Sequence, residues 1–176
     1  MGIDFGAGLT AIAGDIPMGA SPDHALHGVR LLMLSNTLML RHLMPSAPAH
    51  AWSNVHSWPG MGLSPVAVTV DELGDAWRGG RVHLPLHSSC NGRKVGMCEA
   101  GEGMAFHFGQ LIAHAAKTRA LGAGTLVGTG VVSNEGTSTG RGKAQRTEWP
   151  KGYHCIAEKR AMEQAQSGAA TTSYLQ

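Results

Sequence analysis

Ten histidines and three cysteines are the side chains of this 176-residue sequence with the most reactive chemistry to offer. A zinc centre needs three or four of them converging on one point. His83 and His87 lie four apart on a stretch that reads as a strand, which separates them by about 13 Å along its axis. That is too far to share an ion. His24 and His27 can share a helix face, but no third ligand stands beside them. His107 and His114, seven apart, also lack a nearby partner. Cys90, Cys98 and Cys155 form no CxxC pair, so neither a zinc knuckle nor a redox motif is indicated. None of the three has a recognisable base beside it to activate a thiolate. Reduced thiols fit a cytoplasmic protein.

Basic residues are dispersed, with a formal net charge of +2. Their one local concentration, Arg141, Lys143, Arg146 and Lys151, shares a glycine-rich stretch with Glu148 and reads as a solvated loop. No nucleic-acid partner is expected from it. No basic region followed by an apolar core opens the chain, and no apolar run approaches membrane-spanning length, so no membrane partner is expected. The remaining chemical feature is the stretch 114–134, HAAKTRALGAGTLVGTGVVSN. Gly128-Thr129-Gly130 would let the backbone approach a ligand or another chain closely, because glycine has no Cβ in the way.

The elements that must position such a turn can be read in order. Ile3–Ala13 alternates weakly and is assigned as a strand. Ser21-Pro22-Asp23 is an N-cap, a proline at the first helical position and an acid in the first turn, and starts a short helix. Val29–Leu40 is an apolar run, read as a buried strand. The spacing predicts a strand over 65–70 and a helical turn from Asp71 through Trp77. Residues 81–87 alternate, with Val82, Leu84 and Leu86 on one face, and Pro85 arguing for a sheet edge. Asn91-Gly92 supplies a hairpin turn. Helices are predicted over 108–117 and Ile156–Ser167, with Thr125-Leu126-Val127 as a strand between them. Twenty-five glycines and few aromatics suit a turn-rich β protein of one domain, residues 1–176.

Several blocks in order resemble the fumarylacetoacetate hydrolase family. They are Ser64-Pro65-Val66-Ala67-Val68-Thr69, Asp71-Glu72-Leu73-Gly74-Asp75-Ala76-Trp77, Leu111-Ile112-Ala113-His114, Ala123-Gly124-Thr125, Gly128-x-Gly130, Val132-Ser133-Asn134 and Cys155-Ile156-Ala157-Glu158-Lys159-Arg160. The resemblance covers nearly the whole chain and is of the C-terminal catalytic domain type. It implies a mainly β (α+β) fold, a mixed-β roll with short peripheral helices, and a homodimer. It also implies hydrolysis, decarboxylation or isomerisation of small oxo-acids, usually with a divalent cation. Relative to the family, residues 135–152 look like a loop insertion, and the segment that would precede residue 1 is missing.

The same resemblance locates a site and shows what it has lost. The family draws two carboxylates from one strand at i and i+2, which share a face, and a third from its neighbour, because hard cations need dense oxygen ligands. Here the three positions are Gly6, Gly8 and Thr37. Asp4 is assigned to the scaffold, on the face away from Gly6 and Gly8. A lysine of the family becomes Trp58, and a threonine of the glycine turn becomes Val131. No metal or other cofactor is therefore expected. The implied pocket is lined by Gly6, Gly8, Thr37, Met39, Arg41, His56, Trp58, Met61, Gly130 and Val131, with His42 and His50 nearby. His56 is the candidate acid/base, since histidine titrates near neutrality, and Arg41 the candidate partner of an enolate or carboxylate.

Three readings follow. The first is a repurposed, metal-independent enzyme acting on a polyketide-like or β-dicarbonyl small molecule by isomerisation, cyclisation or C–C bond chemistry. The second is a catalytically inactive member that binds a ligand or partners an intact paralogue. The third is a residual hydrolase or decarboxylase.

Overall fold

The computed structural model describes residues 1–44, 54–134 and 153–176. Two long strands, β1 (Ile3–Ala13) and β2 (Val29–Leu40), form its centre as an antiparallel pair. The linker between them carries helix α1 (Pro22–His27), whose first turn is capped by the Ser21 hydroxyl accepting from the His24 N–H at 3.2 Å. β3 (Gly60–Leu63) and β4 (Val68–Thr69) add to the outer edge of β2. β9 (Thr125–Gly128) adds to the other edge, beside β1. Short pairs β5 (Trp77–Arg78) with β6 (Arg81–Val82), and β7 (Pro85–Cys90) with β8 (Arg93–Glu99), stand beside this sheet. The remaining helices are α2 (Asn54–Ser57), α3 (Phe108–Ala115) and α4 (Ile156–Ser167). The expected mainly β architecture with short helices is present, and among the described residues its strand pairings are antiparallel. The 135–152 insertion and His50 lie outside the described residues.

The core gathers on one half of the sheet. Leu9, Ala11 and Ala13 of β1 and Leu32 of β2 pack with Phe108 and Ile112 of α3, all buried. The Phe108 ring lies 6.1 Å from that of Trp77, tilted by 34°. Helices α1 and α3 approach closely because Gly109 leaves room. A Cβ there would collide with the Pro22 carbonyl and come within 2.8 Å of Leu26 Cβ.

Three expectations change in the structure. β2 is not buried along its length: Leu34 and Leu38 are 52% and 40% exposed, because their face of the sheet is uncovered at that end. The strand read over 65–70 shortens to Val68–Thr69. The alternation over 81–87 is split between β6 and β7, with Leu84 exposed in the gap. Pro85 has no N–H to donate, and it opens β7 rather than lying inside a strand. The Asn91-Gly92 turn is as expected, with positive φ at both residues, 51° and 75°.

Candidate functional site

Register determines which side chains meet. Across the β1–β2 pair, Asp4 lies opposite Met39, Gly6 opposite Thr37 and Gly8 opposite Ser35. Side chains alternate with a period of two, so Asp4, Gly6 and Gly8 share one face with Thr37 and Met39. The expectation that Asp4 faces away from the two glycines is therefore corrected. All three β1 positions are buried.

Asp4 anchors the site. Its Oδ1 accepts from the N–H groups of Phe5 (2.9 Å) and Ile156 (2.6 Å). Its Oδ2 accepts from Arg41 Nε (2.8 Å) and the Ala157 N–H (3.1 Å). Helix α4 begins with Cys155 as a cap residue that makes no side-chain capping bond. A carboxylate from a strand 152 positions away satisfies its first free N–H groups instead, and negative charge is favourable at that end of a helix. One buried acid thus fixes both Arg41 and the first turn of α4, which carries Glu158.

The turn after β9 supplies the opposite wall. Thr129 N–H donates to the Leu9 carbonyl and Val132 N–H to the Ala7 carbonyl. One extra residue is therefore accommodated opposite Gly8, as in a β-bulge. Gly130 takes φ +75°, a conformation that favours glycine. The bulge presses onto β1: a Cβ at Gly8 would collide with the Gly130 carbonyl. A Cβ at Gly6 would stand 2.5 Å from Val131 Cγ2 and 2.9 Å from Met39 Cε.

These walls border a cavity of about 430 Å³ that is open to solvent on one side. It is lined by Thr37, Met39, Arg41, Trp58, Gly130 and Val131, all named from the sequence, together with Cys155, Ala157, Glu158 and Ala161. Gly6 and Gly8, expected to line it, do not: Val131 and Met39 cover Gly6, and the Gly130 carbonyl covers Gly8. Met61 pairs with Thr37 across β2–β3 but is 44% exposed and outside the lining. His56, on α2, is exposed and does not line the cavity. His42 packs edge-on against the Tyr174 ring at 5.9 Å.

The titratable groups of the lining are Cys155, Glu158 and Arg41. Burial pushes the Cys155 thiol up to about 11, which keeps it protonated and unreactive at neutral pH. Burial also raises Glu158 above the usual carboxylate range, and the nearby Ser133 hydroxyl and His154 main chain temper the rise. Its Oε2 is buried with no hydrogen-bond partner among the described residues. Glu158 is the site residue the sequence reading passed over. In the sequence it is one of several charges on an amphipathic helix, and only the grip of Asp4 on α4 turns it inward.

A hard divalent cation does not suit this lining. Gly6 and Gly8 contribute no donor, and the space above them holds Val131 and Met39. Both carboxylate oxygens of Asp4 are already engaged. Among the described residues, no three His, Cys, Asp or Glu side chains gather where they could hold a metal ion.

A curled antiparallel sheet thus carries a half-buried acid, Glu158, and a guanidinium, Arg41, on one cavity. The chain belongs to the fumarylacetoacetate hydrolase C-terminal family, whose pattern matches residues 1–167. Among solved structures it is similar to a Mycobacterium smegmatis protein assigned by name only as an HpcE protein. The identity is 26%, the TM-score 0.60, and the match covers 73% of this chain and 44% of that one. It is also similar in fold to a Burkholderia cenocepacia protein assigned by name only as a fumarylpyruvate hydrolase, at 18% identity and TM-score 0.60, covering 73% and 54%. An Escherichia coli protein assigned by name only as an isomerase gives 19% identity and TM-score 0.61, covering 74% and 60%. The matched region is thus about half the length of these relatives. No curated protein matches. No helix among the described residues is long and apolar enough to cross a membrane.

Proposed function

We propose that this chain is a fumarylacetoacetate hydrolase-like enzyme that acts, without a resident cation, on a polyketide-like or β-dicarbonyl small molecule. The reaction class is isomerisation, cyclisation or C–C bond chemistry. The observation that supports this reading is the placement of Glu158 and Arg41 on one cavity, the acid half-buried and the cation held by Asp4. A carbon between two carbonyls is acidic enough for a carboxylate of raised pKa to deprotonate. Glu158 takes that proton, the Arg41 charge stabilises the enolate, and the proton is returned at a second atom. A cavity that fixes one conformer of a flexible substrate lowers the barrier further. In this reading Glu158 replaces His56 as the acid/base, because His56 lies outside the lining.

The test is turnover of a β-dicarbonyl panel by chelator-treated protein. Glu158→Gln should lower kcat about 10²–10⁴-fold, and His56→Ala should leave it unchanged. Full turnover by Glu158→Gln would remove this mechanism. The second reading, an inactive ligand-binding member, is favoured by Val131 and Met39 closing over Gly6. It would appear as ligand binding with no turnover by any variant. The reading also includes a homodimer, or a pair with an intact paralogue, for which the support is the exposed apolar face at Leu34 and Leu38.

A further inference from the structure

Past α4 the chain turns at Gly168, with φ +77°, and returns toward β1. Its residues then alternate, with Ala170, Thr172 and Tyr174 half-buried and Thr171, Ser173 and Leu175 exposed, as in a strand packed on one face. Three anchors hold this segment. The Glu163 carboxylate accepts from the N–H groups of Thr171 (2.8 Å) and Thr172 (2.9 Å) and from the Thr172 hydroxyl (2.6 Å). Arg160 donates to the Thr172 carbonyl, and its guanidinium lies over the Tyr174 ring, 4.9 Å from the centre. Leu175 and Ile3 exchange both main-chain hydrogen bonds, each 2.9 Å. The other neighbour of the Tyr174 ring is His42, at 86° to it. His42 in turn rests on Gly2, where a Cβ would stand 2.8 Å from its Nε2. These contacts fall beside each group that fixes the cavity. Ile3 precedes Asp4, His42 follows Arg41 in the 3₁₀ turn Arg41–Leu43, and Arg160 stands two residues past Glu158 on α4.

We propose that residues 171–175 are a strap that positions the site, with Tyr174 as a positioning residue that sets Arg41 through His42 and Glu158 through Arg160. The reaction this serves is the one read under Proposed function, on which the proposal rests. Asp4 by itself does not complete the arrangement. It grips α4 only at the main-chain N–H groups of Ile156 and Ala157, and a helix held at one end can still swing about that end. Arg160 and Glu163, about one turn further along, supply a second tie and fix the direction of the rod that carries Glu158. The 3₁₀ turn is held in the same two-point way. The Arg41 side chain is bound to Asp4 and its N–H to the Gly2 carbonyl (2.9 Å), while His42 is wedged between Gly2 and Tyr174. One aromatic ring therefore touches both elements that bring a charged group to the cavity. A guanidinium over its face and an imidazole across it are contacts that depend on the ring and not on the hydroxyl.

The experiment is hydrogen exchange at the Arg41 Nε–H, followed by nitrogen-15 NMR of the full chain, with the signal assigned by its loss in Arg41→Lys. Tyr174→Ala should speed that exchange about five- to tenfold by freeing the turn that carries Arg41. Tyr174→Phe, which keeps the ring, should match the parent. Ile112→Ala, which loosens the core away from the strap, should also match it well below the unfolding transition. On a β-dicarbonyl that the parent turns over, Tyr174→Ala should lower kcat about 10–10²-fold and change KM less. Thermal melts confirm folding, and if Tyr174→Ala is not folded, His42→Ala replaces it with the same expectations. Exchange at the parent's rate in the folded variant, equally fast exchange in Tyr174→Phe or Ile112→Ala, or faster exchange with kcat unchanged overturns the strap. Absence of turnover by the parent removes the reading under Proposed function instead, and the exchange rates still decide the strap.

Discussion

From Leu9 to Ala13, β1 packs through its own side chains: Leu9, Ala11 and Ala13 are at most 7% exposed and meet the buried face of α3. From Asp4 to Gly8 it is the opposite face of the strand that is buried, and Asp4, Gly6 and Gly8 contribute no apolar side chain to it. There the filling comes from elsewhere, with Val131 and the Gly130 carbonyl descending onto two glycines and α4 held by one carboxylate. One end buries, on one face, a core in which each residue brings its own volume. The other end buries, on the opposite face, a platform whose contents are delivered by distant segments. A strand can therefore keep its register while the chemistry above it is replaced, because the pairing that sets register is made by the backbone.

The sharpest way to break this contrast is at Asp4. Asp4→Ala leaves Arg41 and the first N–H groups of α4 without their acceptor, and should cost about 3–5 kcal/mol in denaturant unfolding. Ligand binding should be lost with it. Ile112→Ala, at the core end, should cost about 2–5 kcal/mol for the cavity it leaves. Measured well below the unfolding transition, it should leave ligand affinity unchanged. Equal effects of the two variants on binding would erase the distinction.

Next come the glycines. Gly6→Ala and Gly8→Ala should each cost about 1–3 kcal/mol by overpacking, but for different reasons. The obstacle at Gly6 is the end of the Val131 side chain, whereas at Gly8 it is backbone. Val131→Ala should therefore rescue Gly6→Ala and not Gly8→Ala, as a double-mutant cycle would show.

The smallest effects are pH-dependent. Burial raises Glu158 in the folded state, so the folded chain binds its proton more readily than the unfolded chain does. That contribution to stability is present below the unfolded value of about 4.3 and is lost as pH rises through the folded value. Glu158→Gln, which mimics the protonated acid, should match the parent at low pH and exceed it at neutral pH. His154 has the opposite dependence on protonation. Burial, with His87 nearby, lowers it, and its Nδ1 lies against the Ser88 hydroxyl. Stability from the neutral ring should decline as pH falls below about 6.5 toward the folded value. Denaturant midpoints across pH check both signs.

Much of the framework was legible because it is local. Proline after an N-cap serine starts α1, Asn-Gly turns β7 into β8, and Ile156–Ser167 follows its helical spacing to both ends. The cavity-lining residues of β2 and of the bulged turn were also legible, since they follow from the resemblance and a strand register. Two features were not. The role of Asp4 was misassigned although the two-residue period already placed it with Gly6 and Gly8. Glu158 was hidden for a physical reason. Spacing shows which face of a helix a charge is on, but only a contact spanning 153 positions shows that α4 starts beneath the cavity.

The account depends most on the claim that the oxygen donors of the old cation site have given way to Val131, Met39 and two glycines. Titration of the chelator-stripped protein with manganese(II), followed by electron paramagnetic resonance of the free ion, tests it directly. The account predicts a free-ion signal that grows as it does in buffer alone, with Glu158→Gln indistinguishable from the parent. One equivalent of tightly held manganese, released by Glu158→Gln or by Thr37→Val, would contradict it.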